Sequence, residues 1–236
     1  NSQPTYTSNE TTSEMKLYLD SANLNEIDEC LSRGFLAGVT TNPSILSKEP
    51  KTDFVPHIRK IADLLRDHGQ LLPLSVEVFA REAEDMVAQA HDLVNRIEYE
   101  NINIKVPIGW DELGVIAQLV RDGIRVNCTC LFTEAQCALA ANANATYVSI
   151  FMGRLKDVHC DPLPVISNTR RMLDQSGSAA EIIVGSIRHE RDILEAHLAG
   201  AHIVTAGAAQ LRKMTQHPQT TKSVDGFLSD FEQWLK

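Results

Sequence analysis

The sequence predicts an α/β chain folded as a (β/α)8 TIM barrel with one extra helix at its C-terminal end. Strand-like and helix-like patterns alternate eight times within about 220 residues, the count and size of that barrel. No glycine-rich nucleotide turn follows the first strand, which sets aside the doubly wound open sheet. Polar residues collect at the predicted strand ends, opposite an apolar set, where a barrel keeps its active site.

Residues 1–14 are rich in Ser, Thr and Asn without periodicity, and read as a disordered extension or an expression remnant. The folded domain then covers 15–236 as one unit. Lys16–Asp20 is the first strand, with Leu17 and Leu19 on one face and Tyr18 and Asp20 on the other. Leu24, Ile27 and Leu31 recur at helical spacing up to Gly34, a C-terminal cap. Phe35–Thr40 is the second strand, running into Thr41-Asn42-Pro43-Ser44, and 53–68 is helical. Pro73–Phe79 is the third strand, and the stripe Ala83, Met86, Val87, Ala90, Leu93, Val94, Ile97 marks its helix.

In the fourth strand Ile102, Ile104 and Val106 share one face, Asn103 and Lys105 take the other, and Pro107 ends the ladder. Leu113, Ile116, Ala117 and Val120 mark the next helix, closed by Gly123. Ile124–Cys130 is the fifth strand, and Thr133-Glu134-Ala135-Gln136 opens its helix with a capping box. Thr146–Ile150 is the sixth strand, with a helix over 164–175. Glu181–Ser186 is the seventh, followed by a helix on Ile193, Leu194 and Leu198. His202–Thr205 is the eighth, with a short helix behind it. A last amphipathic helix carries Phe227, Leu228, Phe231, Trp234 and Leu235.

The 22 basic against 31 acidic residues give a formal charge of -9, which argues against a nucleic-acid footprint. No apolar run is long enough to span a bilayer and no secretory h-region is seen, so neither membrane nor export is expected. The five cysteines have no zinc-like spacing and read as reduced thiols of a cytoplasmic protein. Cys128 and Cys130 are both placed on the apolar side of the fifth strand, as core.

The strand ends carry Asp20, Asn42, Glu77, Lys105, Asn127 with Thr129, Ser149 and Ser186. Inward polar groups must be hydrogen-bonded or used, because leaving them unpaired is costly. Lys105 is at the centre of that set. Burial disfavours an ammonium, and a neutral amine attacks carbonyls. The competing reading of Lys105 alone is a solvated edge-strand lysine; the ring of polar neighbours favours a site. Arg154 and Arg188 follow strands six and seven, where barrels often bind phosphate, and guanidinium groups match phosphate oxygens. A metal site lacks support, since no His-x-x-x-His or paired-carboxylate spacing is present and a lysine would compete with the cation.

Tyr18-Leu19-Asp20-Ser21-Ala22, Gly38-Val39-Thr40-Thr41-Asn42-Pro43-Ser44, Ile104-Lys105-Val106-Pro107 and Gly153-Arg154 together resemble the transaldolase family. The resemblance covers about residues 15–236 and is strongest to the short bacterial branch that includes fructose-6-phosphate aldolase. It implies a metal-free, cofactor-free Schiff-base mechanism on Lys105, with a dihydroxyacetone unit moved from a ketose phosphate to an aldose acceptor. It also implies that Asp20 is the acid/base for C–C cleavage, while Glu77 and Thr129 hold a proton-shuttling water. Asn42, Asn127 and Ser149 would meet the dihydroxyacetone hydroxyls. Arg154, Ser186 and Arg188 would bind phosphate, and Phe151 would line the substrate site. A homo-oligomer, pentamer or decamer, is implied for the terminal helix.

Ile150 stands where the family usually has proline, Val158-His159-Cys160-Asp161-Pro162 replaces a glycine-containing loop, and Ala206-Gly207 replaces a proline-containing turn. These changes border the site and leave acceptor and pathway open, a specialised sugar-building role among them. Two other readings compete. Direct aldolases of the branch carry glutamine at the Glu77 position and tyrosine at Phe151, so the residues here favour transaldolase. A non-catalytic sugar-phosphate-binding barrel could lose the lysine or its base, and both are present.

Overall fold

The computed structural model describes residues 15–69 and 71–236; the reading of 1–14 as a disordered extension lies outside them. Eight parallel strands close into a barrel in sequence order. They are β1 (Lys16–Asp20), β2 (Gly38–Thr40), β3 (Leu74–Glu77), β4 (Ile102–Pro107), β5 (Val126–Leu131), β6 (Tyr147–Phe151), β7 (Glu181–Gly185) and β8 (Ile203–Ala206). The helices α1 (Leu24–Ser32), α2 (Pro43–Leu46), α3 (Phe54–Asp67), α4 (Ala83–Ile97), α5 (Trp110–Arg121) and α6 (Glu134–Asn142) follow the first five strands. Behind the last three come α7 (Met152–Asp157), α8 (Leu163–Ser176), α9 (Glu190–Leu198), α10 (Ala208–Lys213) and α11 (Pro218–Trp234).

Period-2 alternation builds two cores. Residues such as Leu19, Val39, Val76, Ile104, Val126, Val148 and Val184 point outward into the main core beneath the helices. The opposite parity fills the barrel. Tyr18, Tyr147, Ile183 and Ile203 form a separate buried cluster that plugs its N-terminal end and leaves the polar layer above it. Gly38 has to be glycine here: a Cβ would lie 2.5 Å from the Tyr18 ring.

Local signals explain the helix ends. Asn23 caps α1 by accepting from the Asn25 and Glu26 N–H groups, and Gly34 beyond its end has a φ of +73°. The expected capping box on α6 is formed, with Thr133 accepting from Gln136 N and Gln136 accepting from Thr133 N.

Four expectations need correction. The second strand begins at Gly38, not Phe35, because the chain beyond Gly34 is still entering the barrel with Phe35 exposed. The sixth strand is followed by α7 before α8, and it is α7 that carries Arg154. On α9 Leu194 is exposed and Leu198 is 89% exposed; the buried face is Asp192, Ile193 and Ala196. Cys130 does not join Cys128 in the core: the β5–β6 register shifts between Cys128 and Leu131, and Cys130 takes a φ of +62°. That bulge reverses the parity and puts the thiol in the cavity wall.

Candidate active site

A cavity of about 510 Å³ opens at the C-terminal ends of the strands. Its lining brings together Asp20, Asn42, Glu77, Lys105, Asn127, Thr129, Ser149, Phe151, Arg154, Ser186 and Arg188, each of the residues singled out from the sequence.

Lys105 is 4% exposed, held on β4 between Glu77 of β3 and Asn127 of β5, with which it is in register. Its Nζ donates to the Thr41 carbonyl at 2.9 Å and lies 3.2 Å from a Glu77 carboxylate oxygen. The amine is thus fixed by two acceptors, a carboxylate on the adjacent strand β3 and the backbone carbonyl just past the end of β2.

Across the cavity Asp20 accepts from Thr40 Oγ1 at 2.7 Å, and Thr40 Oγ1 is 2.6 Å from Thr205 Oγ1. If the aspartate is ionised, Thr40 gives it its hydrogen and Thr205 donates to Thr40. Burial pushes the Asp20 carboxyl above the ordinary aspartate range, and the Lys105 charge and the Thr40 hydrogen bond only partly offset it. Raised in this way, the carboxyl holds its proton to a higher pH than a free aspartate does.

Asn127 is locked on both sides: Nδ2 donates to Ser75 Oγ at 3.2 Å, and Oδ1 accepts from Ser149 Oγ at 2.6 Å. Thr129 is fully buried, and its hydroxyl has no hydrogen-bond partner among the described residues. Asn42 caps α2, its Oδ1 accepting from Ile45 N at 3.0 Å, which leaves the Nδ2 donor unoccupied by the cap.

At the β6–β7 side the Arg154 guanidinium lies 5.2 Å from the Phe151 ring centroid, a cation–π distance. Ser186 has a φ of +59°, uncommon for a serine, and a Cβ at Gly153 would run into the Ser186 carbonyl oxygen. Only glycine lets α7 sit this close to the end of β7. Arg188 pairs with Asp157 at the end of α7, at 2.7 Å.

Lys48, Lys105, Arg154 and Arg188 face the cavity against the carboxylates Asp20 and Glu77. In a chain of charge -9 the site is therefore locally cationic. Sequence reasoning missed several lining residues: Thr40, Lys48, Cys130, Thr205 and Gln210. Thr40 and Thr205 have the inward parity of Tyr18–Asp20 and could have been found by it. Lys48 and Gln210 lie outside the strands, where no alternation points inward, and Cys130 was hidden by the bulge.

A family model described as transaldolase/fructose-6-phosphate aldolase matches residues 17–235. A probable transaldolase of Ruegeria sp. (strain TM1040) is 38% identical over 218 residues, 92% of this chain and 97% of that protein. A probable transaldolase of Heliobacterium modesticaldum is 40% identical over 218 residues, 92% of this chain and 98% of that protein. Among solved structures, a thiamine phosphate pyrophosphorylase from Pyrococcus furiosus aligns with a TM-score of 0.57 over 82% of this chain and 86% of that one. At 9% identity that likeness is one of fold alone.

Proposed function

The chain belongs to the transaldolase/fructose-6-phosphate aldolase family, and on that premise we propose that it is a class I transaldolase moving a dihydroxyacetone unit from a ketose phosphate to an aldose acceptor. The observation that carries the reading is the buried lysine paired with a carboxylate, Lys105 beside Glu77, with the Asp20 carboxyl in the same cavity.

In this reading Glu77 and the Thr129 hydroxyl hold a water that relays protons while the neutral Lys105 amine adds to the C2 carbonyl of the ketose. The carbinol oxygen leaves as water by the same relay, giving the protonated imine. Asp20 removes the C4 hydroxyl proton, the C3–C4 bond breaks, and its electron pair passes into the iminium to form an enamine. The aldose phosphate departs, and the enamine attacks the acceptor aldehyde by the reverse path. Asn42, Asn127 and Ser149 hold the dihydroxyacetone hydroxyls. Arg154, Ser186 and Arg188 hold the phosphate, which the cationic lining supports. A carboxylate at Glu77 and phenylalanine at Phe151 favour transfer over direct aldol addition.

We also propose a cytoplasmic homo-oligomer, a pentamer or decamer. Its support is α11, which has no buried residue and displays Phe227, Leu228, Phe231, Trp234 and Leu235 to solvent. Among the described residues no helix is long and apolar enough to cross a membrane; a second copy of the chain would cover the α11 stripe.

Borohydride added with fructose 6-phosphate should leave a covalent adduct on Lys105, read by peptide mass. An adduct on another lysine, or none, overturns the mechanism.

A further inference from the structure

Behind the phosphate side of the cavity a buried carboxylate pairs with a half-buried lysine, an ion pair that the proposed reaction does not use. Asp192, 2% exposed at the start of α9, has both carboxylate oxygens occupied. Oδ2 accepts the backbone N–H groups of Arg188 and His189, each at 3.0 Å, and Oδ1 accepts Lys156 Nζ at 2.7 Å. Lys156 also reaches Glu195 at 3.1 Å. Burial opposes ionisation of Asp192, yet Lys156 and the two N–H groups hold its carboxyl below the ordinary aspartate range.

Lys156 stands on α7 two residues after Arg154. At about 100° per residue the two side chains leave the helix about 200° apart, so one serves the cavity while the other reaches back to α9. The N–H groups that Asp192 holds belong to Arg188 and its neighbour. One carboxylate therefore joins the helix bearing the first cavity arginine to the backbone bearing the second.

We propose that Lys156 and Asp192 are positioning residues for phosphate recognition, clamping the Arg188–His189 backbone to α7 and so setting the spacing of the Arg154 and Arg188 guanidinium groups. The inference rests on the reading of Arg154, Ser186 and Arg188 as the phosphate site. Two guanidinium forks grip one phosphate only when their separation fits it. Removing Lys156 leaves a buried carboxylate with two of its three partners and no countercharge, which destabilises the arrangement it holds.

Borohydride trapping at Lys105 separates the two. Fructose 6-phosphate needs the phosphate site, whereas dihydroxyacetone forms its imine on the same lysine without it. In Lys156→Met the half-saturating concentration of fructose 6-phosphate should rise about tenfold, with that of dihydroxyacetone unchanged. Lys156→Arg, which keeps the ion pair, should restore the parent value. Asp192→Asn should match Lys156→Met. Equal movement for both ketones would reduce the pair to a general structural role and overturn the proposal, as would no movement in Lys156→Met. Arg188→Ala is the control for the underlying reading: if it leaves fructose 6-phosphate unaffected, the phosphate assignment itself fails.

Discussion

At the scale of the residue, the proposed reaction rests on two carboxylates in different surroundings. Glu77 touches the Lys105 amine, and an amide in its place could still hydrogen-bond but not take a proton. Glu77→Gln should therefore lower transfer relative to addition of free dihydroxyacetone; an unchanged ratio of the two activities would remove Glu77 as the discriminator. Asp20 binds its proton more tightly folded than unfolded, because burial disfavours the anion. The ionised folded form therefore costs stability above the raised folded pKa, and the cost vanishes below the unfolded value of about 3.9. Asp20→Asn should raise the melting temperature at pH 8, with the gain closing toward pH 4. A gain that does not depend on pH would show that ionisation is not its source. Parity alone made Asp20, Glu77, Lys105, Asn127, Thr129 and Ser149 legible in the sequence. Cys130 was not, since a bulge reverses alternation without any signature in the residue types.

At the scale of the element, the strand–helix alternation was readable because the strands alternate and the longer helices packed on the barrel each bury one stripe. Two short helices were missed because neither runs to two turns. α2 and α7, of 4 and 6 residues, present too few positions for a helical stripe. On α9 the leucines suggested a buried face, but the buried Asp192 sits there because it is fully paired. The placement of α7 yields a sharp test at Gly153. An added methyl must displace either α7 or the Ser186 backbone. Gly153→Ala should destabilise the fold by about 1–3 kcal/mol, the usual range for overpacking, measured by denaturant unfolding. It should also weaken retention of fructose 6-phosphate more than that of dihydroxyacetone. A neutral substitution would mean that the close approach of α7 to β7 is not needed.

At the scale of the whole molecule, the barrel closes upon itself and satisfies its own sheet edges, whereas α11 leaves its apolar stripe facing water. Truncation near Ser223 should convert the proposed ring to monomers in light scattering. A monomeric intact chain would rule the ring out, and a truncated chain that keeps full assembly would show that α11 is not its tie. The chain's two tryptophans give this feature an optical consequence. Trp110 at the start of α5 is 85% exposed and Trp234 on α11 is 78% exposed, so neither indole reports on the barrel interior. Intrinsic emission should be nearly silent when the barrel melts within an isolated subunit. It should shift to shorter wavelength when Trp234 is covered by a neighbouring copy, and back again on dilution. Fluorescence of this protein should therefore follow the proposed association and not folding.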